Sequence, residues 1–234
     1  MTRSRVPRAL QRAFDFVCAA AGLLVLSPIL AGLALAIVWR DGTPILFRQS
    51  RIGLGGRPFQ IWKFRTMRAG SVGRSITSAG DQRITSIGAL LRRYKLDELP
   101  QLFNVLRGEM SLVGPRPEVP EYVSLETPVW QAILQVRPGI TDLASLLYRN
   151  EEGLLHTHPD PDAFYRRQVQ PAKLALNLSY LKRRSFGSDL RLIFQSIRYS
   201  LFPHAFDPEQ ICRAFGTGVH YEQPNRPLSL SVDR

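Results

Sequence analysis

The longest apolar stretch of the chain runs from Phe16 to Trp39 and holds no charged residue. Arg3, Arg5, Arg8 and Arg12 precede it, and Arg40, Arg48, Arg51 and Arg57 follow it. It is too long for the apolar core of a signal peptide and reads as a membrane segment. At its centre stands Leu26-Ser27-Pro28-Ile29, where Pro28 removes one backbone hydrogen bond and bends a helix. Each arm is about a dozen residues, or ~18 Å of helix against a hydrocarbon core of ~30 Å. Neither arm spans alone, and basic residues at both ends leave the positive-inside rule no orientation for a span. A re-entrant hairpin broken at Ser27 and Pro28 fits both facts, with Ser27 bonding a carbonyl that Pro28 frees. A kinked spanning helix is the alternative reading of the same residues.

Beyond the apolar run the period changes. Pro44 to Phe47 and Pro58 to Phe64 read as short strands around the glycine-rich turn Arg51 to Arg57, a small β-hairpin. Gly53, Gly55 and Gly56 do not form a nucleotide fingerprint, because no long strand precedes them and no helix follows. Lys63 and Arg65 alternate with apolar neighbours and fall on one strand face. Ala69 to Gln82, rich in Ser, Gly and Thr, reads as a loop able to close over a substrate. Arg83 to Lys95 carries apolar residues at helical spacing and ends in Arg92, Arg93 and Lys95, an amphipathic helix suited to a lipid surface or to the domain core.

Glu118 to Gln135 is expected to be helical with a break at Pro128, and Pro161 to Arg184 and Ser188 to Phe202 as two further helices, either able to rest at a membrane interface. From Pro203 onward periodicity is weak, and no internal repeat is evident. The expected fold is mainly α with a small β-hairpin: a monotopic membrane protein with an N-terminal re-entrant helix-break-helix and interfacial amphipathic helices. Its expected parts are a basic terminus with the membrane hairpin over 1–40, a cytoplasmic domain over 41–203, and a polar tail over 204–234.

Composition narrows the partner. The 234 residues include 31 Lys and Arg against 19 Asp and Glu, a net charge of +12. That excess selects an anionic partner: a nucleic acid, an anionic membrane surface or phosphorylated substrates. Only Cys18 and Cys212 are present, too few for a disulfide framework or a cysteine-rich metal site, which fits a reducing cytoplasm.

The densest chemistry lies between Arg92 and Pro117. Asp97 precedes the helical pattern of Leu102, Phe103, Val105 and Leu106, where an N-cap would sit. Free N–H groups there would face the same space as Arg92, Arg93 and Lys95, and Arg116, between two prolines, offers a planar fork suited to phosphate oxygens. Carboxylates beside phosphates imply a divalent cation, and Mg²⁺ bound by Asp97, Glu98 and substrate phosphates satisfies that requirement. The plainer alternative makes Asp97 a helix cap and Glu98 a solvated first-turn acid. His156, His158, Asp160 and Asp162 are a second polar cluster that could mimic a metal site, although proline-punctuated loops often gather such residues.

The run Leu96-Asp97-Glu98-Leu99-Pro100-Gln101-Leu102, followed by Asn104-Val105-Leu106-Arg107-Gly108-Glu109-Met110-Ser111-Leu112-Val113-Gly114-Pro115-Arg116-Pro117, closely resembles the bacterial sugar transferases, as does Val136-Arg137-Pro138-Gly139-Ile140-Thr141. The resemblance covers roughly residues 8–203, in the compact form of these monotopic phosphoglycosyl transferases, whose known anchor is a Ser-Pro-broken re-entrant helix. It implies transfer of a sugar phosphate from a nucleotide sugar, with UDP as the expected carrier, to undecaprenyl phosphate at the cytoplasmic face of the bacterial inner membrane. The resulting lipid-linked glycan would feed an exopolysaccharide, O-antigen, capsule or glycoprotein oligosaccharide. By the same resemblance Asp97 would be the nucleophile, Glu98 would assist at the metal or as acid or base, and Lys63, Arg92 and Arg116 would hold phosphates. Arg149 alone is carried over from the segment after Thr141. There the chain departs from the Gly-Trp-Ala-Gln and Asn-Gly-Arg-Asn of many members, leaving the sugar open. Glu109 replaces the family's usual Asp, a change expected to be structural. The implied partners are the nucleotide sugar, undecaprenyl phosphate and inner-membrane lipids, with no nucleic acid; homo-oligomerisation stays open. Rival readings are a membrane-anchored nucleic-acid binder, which lacks a recognisable module here, and a non-enzymatic scaffold, which would tolerate loss of both carboxylates.

Overall fold

The computed structural model describes residues 7–71, 77 and 80–216. Arg3 and Arg5, half of the expected loop from Ala69 to Gln82, and the end of the expected tail lie outside the described residues.

Helix α1, Arg8–Asp41, contains 34 residues and runs through Ser27 and Pro28 without interruption. The expected helix-break-helix is therefore a helix with a proline inside it. The chemistry at that point explains its continuity. Pro28 cannot donate to the carbonyl of Leu24, and the Ser27 hydroxyl donates to that same oxygen at 2.7 Å. Packing reinforces it from both sides: Ala19, Leu23 and Leu26 meet one apolar cluster with Ile61, Leu102, Val105 and Met110. Leu30, Leu33, Ala34 and Ile37 meet another with Phe64 and Leu91. The opposite face is bare. Leu24, Val25, Leu35 and Trp39 are each more than 70% exposed, at 76, 73, 71 and 86%. Among the described residues α1 is the one helix long and apolar enough to cross a membrane.

Strands β1, Leu46–Ile52, and β2, Pro58–Phe64, form the expected antiparallel hairpin, with Leu46 opposite Phe64 and Ile52 opposite Pro58. β1 starts and ends later than its β-like sequence suggests, because its partner offers seven positions to pair. The glycines turn the chain: Gly55 and Gly56 have φ of 66° and 77°, accessible to glycine without strain. Helix α2, Ser86–Arg93, starts three residues later than expected, since Ile84 bridges to Met67 before Thr85 Oγ1 caps the helix by accepting from Gly88 N. A 3₁₀ turn, Leu96–Gln101, then leads directly into α3, Leu102–Arg107.

Strand β3, Ser111–Val113, pairs in parallel with β4, Gly139–Thr141. The backbones cross so closely that a Cβ on Gly139 would sit 2.1 Å from Gly114 N. Between them the expected helix over 118–135 is largely absent: a 3₁₀ turn occupies Pro120–Tyr122, and α4 spans Pro128–Ile133. Pro128 begins that helix rather than breaking one, as its ring suits a first-turn position.

The C-terminal layer contains α5, Leu143–Leu147, α6, Glu151–His156, and α7, Pro161–Phe164. A π-helical turn, Tyr165–Val169, continues into α8, Gln170–Arg183, and α9 spans Phe186–Leu201. These helices share the largest apolar cluster, including Leu143, Leu155, Leu176, Leu192 and Tyr199. The tail is not wholly irregular: α10, Pro208–Phe215, is capped by Asp207 and buries Ile211 in the same cluster. Three of the four residues in the histidine and aspartate cluster have structural partners. His158 stacks on Phe164, Asp160 caps α7, and Asp162 accepts from Tyr122 and Arg166. Among the described residues no group of three or more His, Cys, Asp and Glu side chains is placed to hold a metal.

Candidate active site

Lys95 adopts a left-handed conformation, φ 57°, and turns the chain sharply from α2 into the 3₁₀ segment. Helical winding thus starts at Leu96, so Asp97 lies inside the first turn and caps nothing by side chain, contrary to the N-cap expectation. Asp97 and Glu98 are equally buried, each 7% exposed, and their surroundings differ sharply.

Glu98 is enclosed by cations. Lys63 Nζ, from β2, lies 3.1 Å from Glu98 Oε1, and Arg116 Nη1, from the turn after β3, donates to Oε2 at 3.1 Å while Nη2 contacts Oε1 closely. Burial would raise the Glu98 pKa, but Arg116 and Lys63 outweigh it and hold the carboxyl well below the ordinary glutamate range. Asp97 lacks that enclosure, and its buried Oδ1 has no hydrogen-bond partner among the described residues. Burial first, then the neighbouring Glu98 charge, pushes its pKa up. Lys63 pays for its burial with a pKa lowered to about 8, despite the proximity of Glu98.

Arg92 and Arg149 are placed differently. Arg92 Nη2 pairs with Glu152 at 3.1 Å, leaving a buried Nη1 without a partner, and its charge lowers the Asp97 pKa. Arg149 donates to the Arg93 carbonyl at 3.1 Å, at the C-terminal end of α2, with no bond to either carboxylate. The structure therefore brings Lys63, Asp97, Glu98 and Arg116 together and leaves Arg92 and Arg149 toward the end of α2.

Several supporting groups were not legible in the pattern. Arg51 donates to Pro117 O at 3.1 Å and lies 3.8 Å from Glu118; Tyr165 donates to Glu118 at 2.6 Å, and Lys173 pairs with Glu151 at 2.7 Å. This chain of partly buried charges backs the Pro-Arg-Pro turn. Asn104, fully buried, accepts from Trp62 N and donates to Gln60 O and to Glu109 Oε2, tying β2 and Lys63 to α3. That contact gives Glu109 the structural role expected of it. The available signal was a lone amide in an otherwise apolar helix face.

A sequence model of the bacterial sugar transferase family matches residues 6–203. The chain is similar to a UDP-glucose:undecaprenyl-phosphate glucose-1-phosphate transferase of Caulobacter vibrioides, 40% identical over 192 residues, covering 80% of this chain and 68% of the relative. A protein of the same name from Escherichia coli is 35% identical over 83% of this chain and 40% of its own length. A UDP-N-acetylgalactosamine-undecaprenyl-phosphate N-acetylgalactosaminephosphotransferase of Aeromonas hydrophila is 33% identical over 81% of this chain and 43% of its own length. The chain thus spans about two thirds of the first relative and less than half of the other two.

Proposed function

We propose a specific reaction for this chain, which belongs to the bacterial sugar transferase family: transfer of a sugar 1-phosphate from a UDP-sugar to undecaprenyl phosphate through a covalent aspartyl-phosphosugar. The observation that carries the reading is the unequal pair of carboxylates. Glu98, bound on both oxygens by cations, is ionised and committed to holding Lys63 and Arg116. Asp97, with a buried oxygen free of partners, is the group available to attack.

In the first step an Asp97 oxygen forms a bond to the sugar-bearing phosphorus while the bond from that phosphorus to the bridging oxygen breaks, and UMP leaves with the electron pair. In the second, a phosphate oxygen of the lipid attacks the same phosphorus and releases the Asp97 carboxylate. Lys63 and Arg116 stabilise charge on the phosphoryl oxygens in both steps, and Arg92 and Arg149 contact the more distant nucleotide. Because Glu98 stays ionised, its part is to orient the two cations rather than to donate a proton. Mg²⁺ fits this donor set through Asp97 and substrate phosphates, whereas a Glu98 ligand would have to exchange with one of its cations. When bound, the ion would neutralise charge on the pyrophosphate.

The apolar outer face of α1 anchors the domain at the cytoplasmic face of the inner membrane; packing of α1 on the domain both before and after Pro28 supports both helix ends lying on the same side. The sugar transferred is that of the donor accepted in a screen of UDP-sugars. The decisive experiment incubates purified protein with Mg²⁺, labelled UMP and the accepted UDP-sugar without lipid. Wild type should exchange label into the donor, and Asp97→Asn should lose both exchange and lipid-dependent transfer while remaining folded. Transfer without exchange would replace the covalent path by direct displacement.

A further inference from the structure

The polar first turns of α1 reach both chain segments that carry the site. Arg12 Nη1 and Nη2 donate to the carbonyls of Val105 and Leu106 at 2.5 and 2.7 Å, closing the C-terminal end of α3. Asp15, 3% exposed, accepts from Ser111 Oγ at 2.8 Å and from Leu112 N at 3.1 Å on β3, and Gln11 Nε2 donates to the same Ser111 hydroxyl at 3.0 Å. Arg12 and Asp15 are three residues apart and share a helix face. α3 continues directly from the turn of Asp97 and Glu98, and β3 leads through Gly114 and Pro115 to Arg116.

The chemistry of these contacts is costlier than attachment requires. A buried carboxylate is desolvated, and apolar packing would hold a membrane helix with less penalty. What Asp15 supplies is direction: Leu112 N lies between the two pairings of β3 with β4, at Ser111 and Val113, and the carboxylate gives it a partner on the other side. Arg12 does the same at the end of α3, for the Leu106 carbonyl and for that of Val105, which also accepts from Gly108 N at 3.0 Å. A displacement of α1 along its axis would therefore move the nucleophile turn and the arginine turn together, or shear one against the other.

We propose that Arg12 and Asp15 are positioning residues that set the distance between the Asp97–Glu98 turn and Arg116, coupling the seat of the membrane helix to the chemistry. The inference rests on the transfer reaction proposed above and goes beyond it in assigning the anchor a part in turnover.

The test uses the full chain in lipid nanodiscs and measures UMP exchange, lipid-dependent transfer and melting for Asp15→Ala, Asp15→Asn, Arg12→Ala and Arg12→Lys. The same Asp15→Ala change is also made in an Arg116→Lys background. Misplacement should lower turnover in Asp15→Ala and Arg12→Ala by about 10- to 100-fold. Asp15→Asn, whose amide oxygen still accepts from Leu112 N, should recover most of it. If Asp15 acts through Arg116, adding Asp15→Ala to Arg116→Lys should cost only about 2-fold more, because the two changes damage one arrangement. Equal losses in both backgrounds, matched by equal falls in melting temperature, would overturn the coupling and leave a stabilising contact. So would near-wild-type turnover in Asp15→Ala and Arg12→Ala. If wild type transfers sugar to lipid without exchange, the covalent reading fails, and the same comparison made on transfer still decides the coupling.

Discussion

Adjacent residues of equal burial acquire opposite roles from what faces them. Glu98 has a pKa depressed by Arg116 and Lys63, so its contribution to stability is present above the ordinary glutamate range and is lost as pH falls through the folded value. Asp97 has a raised pKa, so above that value the fold carries a desolvated charge that it would shed on protonation. Two substitutions should therefore move melting in opposite directions at neutral pH. Asp97→Asn should melt above wild type, with the difference vanishing toward acid. Glu98→Gln, which strips a buried cation pair of its counter-charge, should cost about 3 kcal/mol. Calorimetry across pH reads both. Lys63 adds a kinetic prediction: burial brings its pKa to about 8, so kcat/KM should fall as pH rises through that value and the ammonium is lost. Lys63→Arg, which stays charged, should remove this alkaline limb. An unchanged limb in that variant would separate Lys63 from the phosphates.

The short elements matter for the turns they aim. β3 and β4 contain only three residues each, yet their crossing fixes where Gly114-Pro115-Arg116 leaves the sheet. An added Cβ at Gly139 would meet Gly114 N at 2.1 Å and Gly114 O at 2.4 Å, backbone atoms with no rotamer to yield. Gly139→Ala should thus destabilise by about 3 kcal/mol and lower turnover even in the folded fraction, measured by thermal melts beside single-turnover kinetics. The family resemblance marked this glycine as part of a motif, and the reason for its presence is the touching backbone of Gly114.

Across the whole molecule, the exposed apolar surface extends beyond α1. Phe14 of α1 packs edge-on against Phe186 of α9 with ring centres 5.1 Å apart. From there Leu190, Phe194, Ile197 and Leu201 continue an exposed apolar stripe along α9, each 43–65% exposed. Because α1 packs on the catalytic domain both before and after Pro28, its two ends should be accessible from one side of the membrane. Single cysteines placed at each end and labelled in oriented vesicles check this. Labelling from opposite sides would make α1 a spanning helix and sink the re-entrant arrangement.

The sequence alone determined those features that local periodicity or a contiguous motif can carry: the apolar α1, the β-hairpin with its glycine turn, the amphipathic α9, and the stretch holding Asp97, Glu98 and Arg116. Even Ser27 was readable as the donor for the carbonyl freed by Pro28, since both lie within one helical turn. Tertiary structure decided what depends on groups distant in the chain. Whether Glu98 is solvated or ionised in a cage depends on Lys63, 35 residues earlier, and Arg116, 18 later. That Glu118 is held by Arg51 and Tyr165 depends on partners 67 residues earlier and 47 later. Gln11, Arg12 and Asp15 look like the polar margin of a membrane helix until α3 and β3 fold against them. Periodicity records which face of an element is buried, whereas the identity of the group across the interface is set only when the chain closes on itself.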